Sequence, residues 1–397
     1  MSDRAKPSRD LSRYHERARV HGVNRVVYWI VRAVVQSAMR IWFRLDRQGR
    51  ENIPRRGAVI LAANHRSFLD PFVVGVCLRR PVYFVAKQEL FAKRWQGWIL
   101  NALGAFPIRR GESDEQSVAT AKAILARGDA VVIFPEGTRI RTGSLGRPKR
   151  GVGRLALESG APVVPIAVTG TERVRRGWVI RPAKVRARCG RPLTFPRVEA
   201  ASPSLAARVT ERIWPCVELQ WEWLGGLPAM RKAAVVGAGE LGTAMADALT
   251  RAGLDVQLAC RTAAQARRLG ACTVADLEPA ALDLLVVATP LAALPSLVAR
   301  IGASVGHRTT ILLPVRGELG PHALPAARHL RERTGAATVA SVAVPGGAAS
   351  LRHGGGRVEL RCDDPGRCDQ LRDALERAGL TVGPADELAD RSLRQAA

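Results

Sequence analysis

Residues 58–63 are apolar without interruption and stop abruptly on Asn64 and His65. The pattern recurs in residues 130–134 before Pro135-Glu136, and in residues 163–168 before Thr169. A strand whose residues do not alternate in polarity is buried on both faces, as in a parallel sheet covered by helices. Such sheets bind ligands beyond the carboxyl ends of their strands. The expected fold is therefore α/β, and the polar residues that follow each run are the candidates for chemistry.

His65 and Asp70 stand five residues apart, close enough to pair across a turn. A carboxylate on one imidazole nitrogen fixes the tautomer. It also balances the charge that appears when the other nitrogen takes a proton, so the pair can serve as a general base. A plainer reading uses the same residues: Asp70 before Pro71 makes a good helix start, with Asp70 as N-cap and Pro71 at the first helical position. Arg109 and Arg110 close a short apolar segment. Their guanidinium forks match the oxygens of a phosphate; the alternative is a solvated charge pair in a turn. Residues 134–139, Phe-Pro-Glu-Gly-Thr-Arg, put a carboxylate, a glycine, a hydroxyl and a guanidinium at the end of the second apolar run.

In this order, Asn-His-Arg-Ser-Phe-Leu-Asp (64–70), Gly-Ala-Phe-Pro-Ile-Arg-Arg (104–110), Phe-Pro-Glu-Gly-Thr-Arg (134–139) and Val-Val-Pro-Ile-Ala-Val (163–168) resemble the motifs of the glycerolipid acyltransferase family. The likeness is to its bacterial 1-acylglycerol-3-phosphate (lysophosphatidate) acyltransferases, and it covers roughly residues 23–200. The resemblance implies phosphatidate synthesis, with His65 as general base toward the acceptor hydroxyl and Asp70 orienting it. The hydroxyl would attack the thioester of acyl-CoA or acyl-carrier protein directly, with no acyl-enzyme and no cofactor. Arg109, Glu136, Gly137, Thr138 and Arg139 would hold the glycerol phosphate of lysophosphatidate. Asn64, with nearby backbone amides, is read as stabilising the oxyanion. Pro165 matches the fourth motif. Lys149-Arg150-Gly151 departs from the expected lysine before glycine, but Arg150 keeps the charge and joins the acceptor-binding group. Glycerol 3-phosphate or another lysolipid fits the same motifs as acceptor. A rival of another class is a non-catalytic lipid-binding protein gated by NADP(H); the intact His65 and Asp70 argue against it.

Charge is unevenly placed. Residues 1–229 hold 41 Lys and Arg against 18 Asp and Glu, which is +23 of the chain's +26. That half calls for an anionic partner. No reader motif for nucleic acid accompanies it, so an anionic membrane surface and a phosphorylated substrate are the expected partners. Residues 1–22 read as a disordered basic tail with no signal peptide. Residues 23–48 read as an amphipathic helix, with Arg25, Arg32, Arg40 and Arg44 on one face and Trp29 and Trp42 elsewhere. That suits a helix lying in a bilayer interface rather than spanning it. The location expected is the cytoplasmic face of a membrane, peripheral or monotopic. Seven scattered cysteines have no metal spacing and read as reduced thiols. The histidines of the second half (307, 322, 329, 353) suggest no metal site either.

After an acyltransferase domain at 49–222 and a linker at 223–231, a new alternation begins. A strand at 233–236 runs straight into Gly237-Ala238-Gly239-Glu240-Leu241-Gly242 and a helix. Between a strand and a helix, this glycine pattern is a dinucleotide-binding fingerprint in a Rossmann-like domain, here 232–397. Arg261 follows the next strand where an acidic residue would favour NAD, and so points to NADP. This half resembles the nucleotide-binding domain of NAD(P)-dependent glycerol-3-phosphate dehydrogenase, through residues 235–249, Val-Val-Ala-Thr-Pro (286–290) and Val-Ala-Val-Pro-Gly-Gly-Ala-Ala (342–349). The departures are larger than the likeness. No lysine follows Lys232, Arg316-Gly317 replaces the family's Lys-Gly, and the chain ends without room for that family's helical catalytic domain. A degenerate dehydrogenase domain, with NADP as its possible ligand, is the expectation. Gly302-Ala-Ser-Val-Gly306 mimics a hydrolase elbow but follows a helix and precedes a strand, the reverse of what that motif requires.

Overall fold

The uninterrupted apolar runs form the strands of two largely parallel sheets. The structure, a computed structural model, describes residues 11–108, 114–141, 143–176, 179–316, 323–352 and 354–384. It divides into two compact units, the first made of Met1–Arg141 and Leu145–Pro228, the second holding Ala229–Ala397.

The first unit carries strands β1 (Asp46–Gln48), β2 (Val59–Ala63), β3 (Val82–Lys87), β4 (Ala105–Ile108), β5 (Ala130–Ile133) and β6 (Val163–Thr169). After them come a small ladder, β7 (Arg175–Arg176) with β8 (Val179–Ile180), and then β9 (Arg186–Cys189). Its helices are α1 (Ser12–Val20), α2 (Arg25–Ile41), α3 (Asp70–Cys77), α4 (Arg94–Ala102), α5 (Glu115–Ala126), α6 (Gly151–Ser159) and α7 (Pro203–Trp223). The main sheet runs β1-β9-β6-β2-β5-β3-β4, parallel throughout except between β6 and β9. β2 is central, and both its faces are buried. Val59 and Leu61 pack with Val73 and Val74 of α3, while Ile60 and Ala62 pack with Leu155 of α6 and Ile213 of α7. That two-sided burial is why the run shows no alternation.

Two expectations for the N-terminal region need correction. Residues 12–20 are not a disordered tail but the helix α1, which docks on α5 and β4. Tyr14, His15 and Ala18 are buried there, His15 pairs with Thr120 Oγ1 at 2.9 Å, and Arg127 donates to the carbonyls of Ala18 and Arg19 at the helix end. Burial pushes the His15 imidazole down to about 4, so it stays neutral. Residues 1–10 lie outside the described residues. The second helix spans Arg25–Ile41 rather than 23–48, because the chain turns at Trp42 and enters β1. Its arginines do not share one outward face. Arg32 turns inward and donates to the carbonyls of Gly75, at 2.6 Å, and Leu78. Arg47 and Arg50 reach the carbonyls of Val76 and Cys77, at 2.8 and 2.9 Å. Three guanidiniums thus satisfy the open carbonyls at the end of α3, where the helix dipole is negative. Part of the basic charge therefore holds the helix that begins with Asp70.

The second unit contains β10 (Lys232–Val236), β11 (Asp255–Cys260), β12 (Cys272–Thr273), β13 (Leu284–Val287), β14 (Thr310–Arg316), β15 (Thr338–Val344), β16 (Arg357–Arg361) and β17 (Thr381–Pro384). The order is β12-β11-β10-β13-β14-β15-β16-β17. The first six are mutually parallel and, numbered from β10, run 3-2-1-4-5-6, the doubly wound order of a Rossmann fold. Helix α8 (Glu240–Arg251) follows β10 through the glycine-rich turn.

Candidate active site

Three neighbouring strands, β6, β2 and β5, end side by side. Their C-terminal ends bring together residues that are far apart in sequence. From β2 comes His65, whose Nδ1 lies 2.9 Å from Asp70 Oδ2. From β5 comes Phe134, whose ring stacks on the imidazole with centroids 4.2 Å apart at 25°. From β6 comes Thr171, whose hydroxyl donates to Asp70 Oδ1 at 2.6 Å. Asp70 is fully buried, and its Oδ2 also accepts the main-chain N–H groups of Arg66 and Ser67, at 2.6 and 2.7 Å. A carboxylate is an acceptor only, so His65 presents Nδ1–H to it and leaves the Nε2 lone pair free. Asp70 begins α3 with Leu69 as the N-cap, so it is not the capping residue of the plainer reading. Its carboxylate turns back on the loop instead.

Two residues expected to touch substrate face the protein. Asn64 is fully buried. Its Nδ2 donates to Val168 O at 3.0 Å and its Oδ1 accepts Val168 N–H at 2.7 Å, extending the β2–β6 pairing past the point where the main chain leaves it. Fully buried and turned onto β6, Asn64 presents no group to the open edge of the site and is not placed as an oxyanion donor in this arrangement. Glu136 is also buried, and accepts the main-chain N–H of His65 at 2.6 Å and that of Gly146 at 2.8 Å. Burial pushes its carboxyl up to about 7, against the pull of those two donors. Glu136 thus braces the main chain at His65 and Gly146, and both its oxygens are turned inward rather than toward an acceptor. Ile140 N–H donates to His65 O at 2.8 Å, so the 134–140 loop grips the main chain of His65 at both its polar groups.

The remaining expected residues lie along the same edge. Gly137 turns with φ +70°, and the stem of Lys149 lies over it. Thr138 and Arg139 are exposed after β5. Lys149 N–H donates to Pro135 O at 2.8 Å, which brings the neighbouring, exposed Arg150 to that edge at the start of α6. Arg109 lies outside the described residues, directly after β4. Pro165 sits buried within β6, paired with Ala62. Sequence reasoning missed Thr171 and Phe134. Thr171 was findable: it follows the third apolar run just as His65 follows the first. Among the described residues, no cluster of three His, Cys, Asp or Glu side chains could hold a metal.

In the second unit the three glycines divide the work expected of a dinucleotide cradle. Gly237 turns at φ +112°, where a Cβ would meet Ala288 O at 2.5 Å. At Gly242 a Cβ would meet Gly237 O at 1.8 Å, so helix and turn touch there. At Gly239 a Cβ would meet nothing within 4 Å, which leaves the helix N-terminus open to a pyrophosphate. These residues border a cavity of about 780 Å³ that Arg261 and Thr289 also line, and the Thr289 hydroxyl is buried without a hydrogen-bond partner. The cradle fits the group its fold implies.

Residues 44–169 match the acyltransferase family model. The 1-acyl-sn-glycerol-3-phosphate acyltransferase of Bacillus subtilis is 32% identical over 145 residues, which is 36% of this chain and 71% of that protein. The chloroplast 1-acyl-sn-glycerol-3-phosphate acyltransferase of Brassica napus is 32% identical over 136 residues, 34% of this chain; the chain spans 39% of that relative's length. Among solved structures, glycerol-3-phosphate dehydrogenase from Coxiella burnetii is similar at a TM-score of 0.35 and 19% identity, over 40% of this chain and 55% of that one. The Rossmann assignment of the second unit rests on its own strand order.

Proposed function

This chain belongs to the 1-acyl-sn-glycerol-3-phosphate acyltransferase family, and on that premise we propose that its first unit transfers an acyl group from a thioester to the free hydroxyl of 1-acylglycerol 3-phosphate, giving phosphatidate. The observation that carries this reading is the Thr171–Asp70–His65 chain, which leaves one imidazole nitrogen unengaged at the carboxyl ends of three parallel strands. In the proposed step, Nε2 takes the acceptor's hydroxyl proton while the oxygen attacks the thioester carbon. The tetrahedral intermediate then collapses, the C–S bond breaks, and the thiolate leaves with the proton that the imidazolium returns. Asp70 balances the imidazolium in the meantime, and Phe134 holds the ring in plane. The exposed cations Arg139, Arg150 and Lys149 line the edge where the acceptor phosphate would sit, with Arg109 expected to join them. The thioester is that of CoA or of an acyl-carrier protein.

The lipid acceptor argues for a membrane surface, and α2 and α4 supply a face for it. Val26, Trp29, Ile30, Val34, Ile41 and Trp42 are exposed, Ile41 at 79%, and so are Trp95 and Trp98 on the adjoining α4. No helix among the described residues is long and apolar enough to cross a membrane. A face of this kind, with tryptophans, favours a peripheral or monotopic seat on the cytoplasmic leaflet. For the second unit we propose NADP(H) binding without hydride transfer. Gly237, Gly239 and Gly242 would hold the pyrophosphate and Arg261 the 2′-phosphate.

The deciding test is acyl transfer from labelled acyl-CoA to lysophosphatidate in detergent micelles, intact protein against His65→Ala. Phosphatidate from the intact protein alone is the expected result. Activity that survives His65→Ala would mean a different base. Inactivity toward every lysolipid and both donor types would favour the non-catalytic rival.

A further inference from the structure

The catalytic loop has a second support that the proposed mechanism does not use. Arg66 is almost wholly buried, and its main-chain N–H is one of the three donors on Asp70 Oδ2. Its guanidinium carbon lies 4.3 Å from the ring centre of Trp221, near the end of α7. That helix ends at a left-handed Gly225 (φ 81°), and Gly226 N–H returns to Trp221 O at 2.9 Å. The chain then folds over the indole. Leu227 O accepts the Trp221 Nε1–H at 3.0 Å, and Gly226 passes so close that a Cβ there would come within 2.0 Å of Cε2. Only glycine fits at that point. The indole is thus fixed by residues 225–228, which lead out of the first unit, and it carries the side chain of the residue next to His65.

We propose that Trp221 is a positioning residue: clamped by the 225–228 segment, it holds Arg66, and through Arg66 the amide that seats Asp70 against His65. The proposal rests on the reading of His65 as the base. A guanidinium over an indole is held most firmly where water is excluded, and Trp221 is only 6% exposed. Without the indole, one face of the Arg66 guanidinium, whose charge also acts on Glu136, would open to water, and the loop that presents the Arg66 N–H to Asp70 would loosen. The imidazole would then lose the fixed geometry on which proton transfer depends. Trp223, two residues on, offers a matched contrast. Arg188 lies 4.7 Å over its ring, but that tryptophan is 66% exposed and belongs to no such chain of contacts.

The test compares Trp221→Leu, Trp221→Phe and Trp223→Leu in the full-length protein in micelles, by acyl-transfer kinetics and by hydrogen exchange of the 64–70 segment. Trp221→Leu is expected to lower kcat ~30-fold with KM within about twofold, the loss of one desolvated cation–π contact. It should also speed exchange at the Arg66 and Ser67 amides while β2 and β6 stay protected. Trp221→Phe keeps a ring face and loses the Nε1 bond, so kcat should fall no more than about threefold. Trp223→Leu should match the parent in both readouts. Unchanged kcat and exchange in Trp221→Leu would overturn the proposal, as would loss of protection across the whole unit. Should that variant fail to fold, Arg66→Lys keeps the charge that acts on Glu136 but loses the planar group stacked on the indole, and must give the same local loss. If the intact protein transfers no acyl group, the functional reading fails, and the exchange data still decide whether the clamp exists.

Discussion

Replacing Asp70 by asparagine separates two roles of the carboxylate, orientation and charge. Asparagine has nearly the same shape. If its carbonyl oxygen takes the place of Oδ2, it accepts the N–H groups of Arg66, Ser67 and His65 Nδ1, now at 2.6, 2.7 and 2.9 Å. Its NH2 then faces the Thr171 hydroxyl, now at 2.6 Å, which turns from donor to acceptor. The opposite orientation sets the NH2 against three donors and is excluded. The hydrogen bonds and the tautomer survive, and only the negative charge beside the developing imidazolium is lost. Two unit charges about 4 Å apart attract by ~4 kcal/mol at an effective dielectric of about 20. At about 1.4 kcal/mol per tenfold, kcat should fall ~10³-fold. KM should change little, since Asp70 is fully buried. Thr171→Val tests the outer bond alone. It keeps the charge but leaves one oxygen short of a donor, a loss of ~1.5–3 kcal/mol to the buried carboxylate. Only part of that reaches the transition state, so about tenfold in kcat is expected. Thiol release from acyl-CoA, followed with correctly folded variants, measures both. An Asp70→Asn enzyme within tenfold of the parent would refute the charge argument. So would a Thr171→Val variant as impaired as Asp70→Asn, since the carboxylate would then be acting mainly as a loop anchor.

Glu136 gives a pH signature. Its carboxyl, pushed up to about 7 in the fold from an ordinary 4.5, binds a proton more readily folded than unfolded. Stability from this group is therefore greatest below about pH 4.5 and declines as pH rises toward 7, by ~3 kcal/mol. Glu136→Gln should remove that decline in denaturant titrations. It should also lower kcat, because an amide NH2 must face either His65 N–H or Gly146 N–H; parallel stability–pH curves for parent and variant would contradict the assignment. Trp29→Glu with Trp95→Glu should release the protein from anionic vesicles in sedimentation while leaving turnover of a short-chain acceptor in solution intact, and undiminished vesicle binding would move the membrane face elsewhere. Calorimetry of the full-length chain should detect NADPH, with Arg261→Asp weakening NADPH but not NADH; no heat at millimolar NADPH would end the nucleotide proposal.

The sequence revealed which strand ends come together at the candidate site but not which way individual side chains turn. The buried runs before His65, Glu136 and Thr169 became β2, β5 and β6, because burial on both faces leaves a mark at every position of a strand. The pairing of His65 with Asp70 was legible from spacing, since five residues span one turn. Direction left no such mark. Asn64 and Glu136 have the polarity of binding residues, yet each lies where a strand leaves the sheet and main-chain groups lack ladder partners. Their side chains supply those partners. Arg32 has the charge of a headgroup ligand and instead completes the end of α3. These three share a cause: a buried unsatisfied backbone group costs about as much as a lost hydrogen bond, and the nearest long polar side chain is drawn to it. An acceptor phosphate is therefore to be sought at cations that reach solvent rather than at these inward-turned groups. Arg139, Arg150 and Lys149 stand exposed at the same edge as the imidazole, and that edge is where lysophosphatidate binding should be sought.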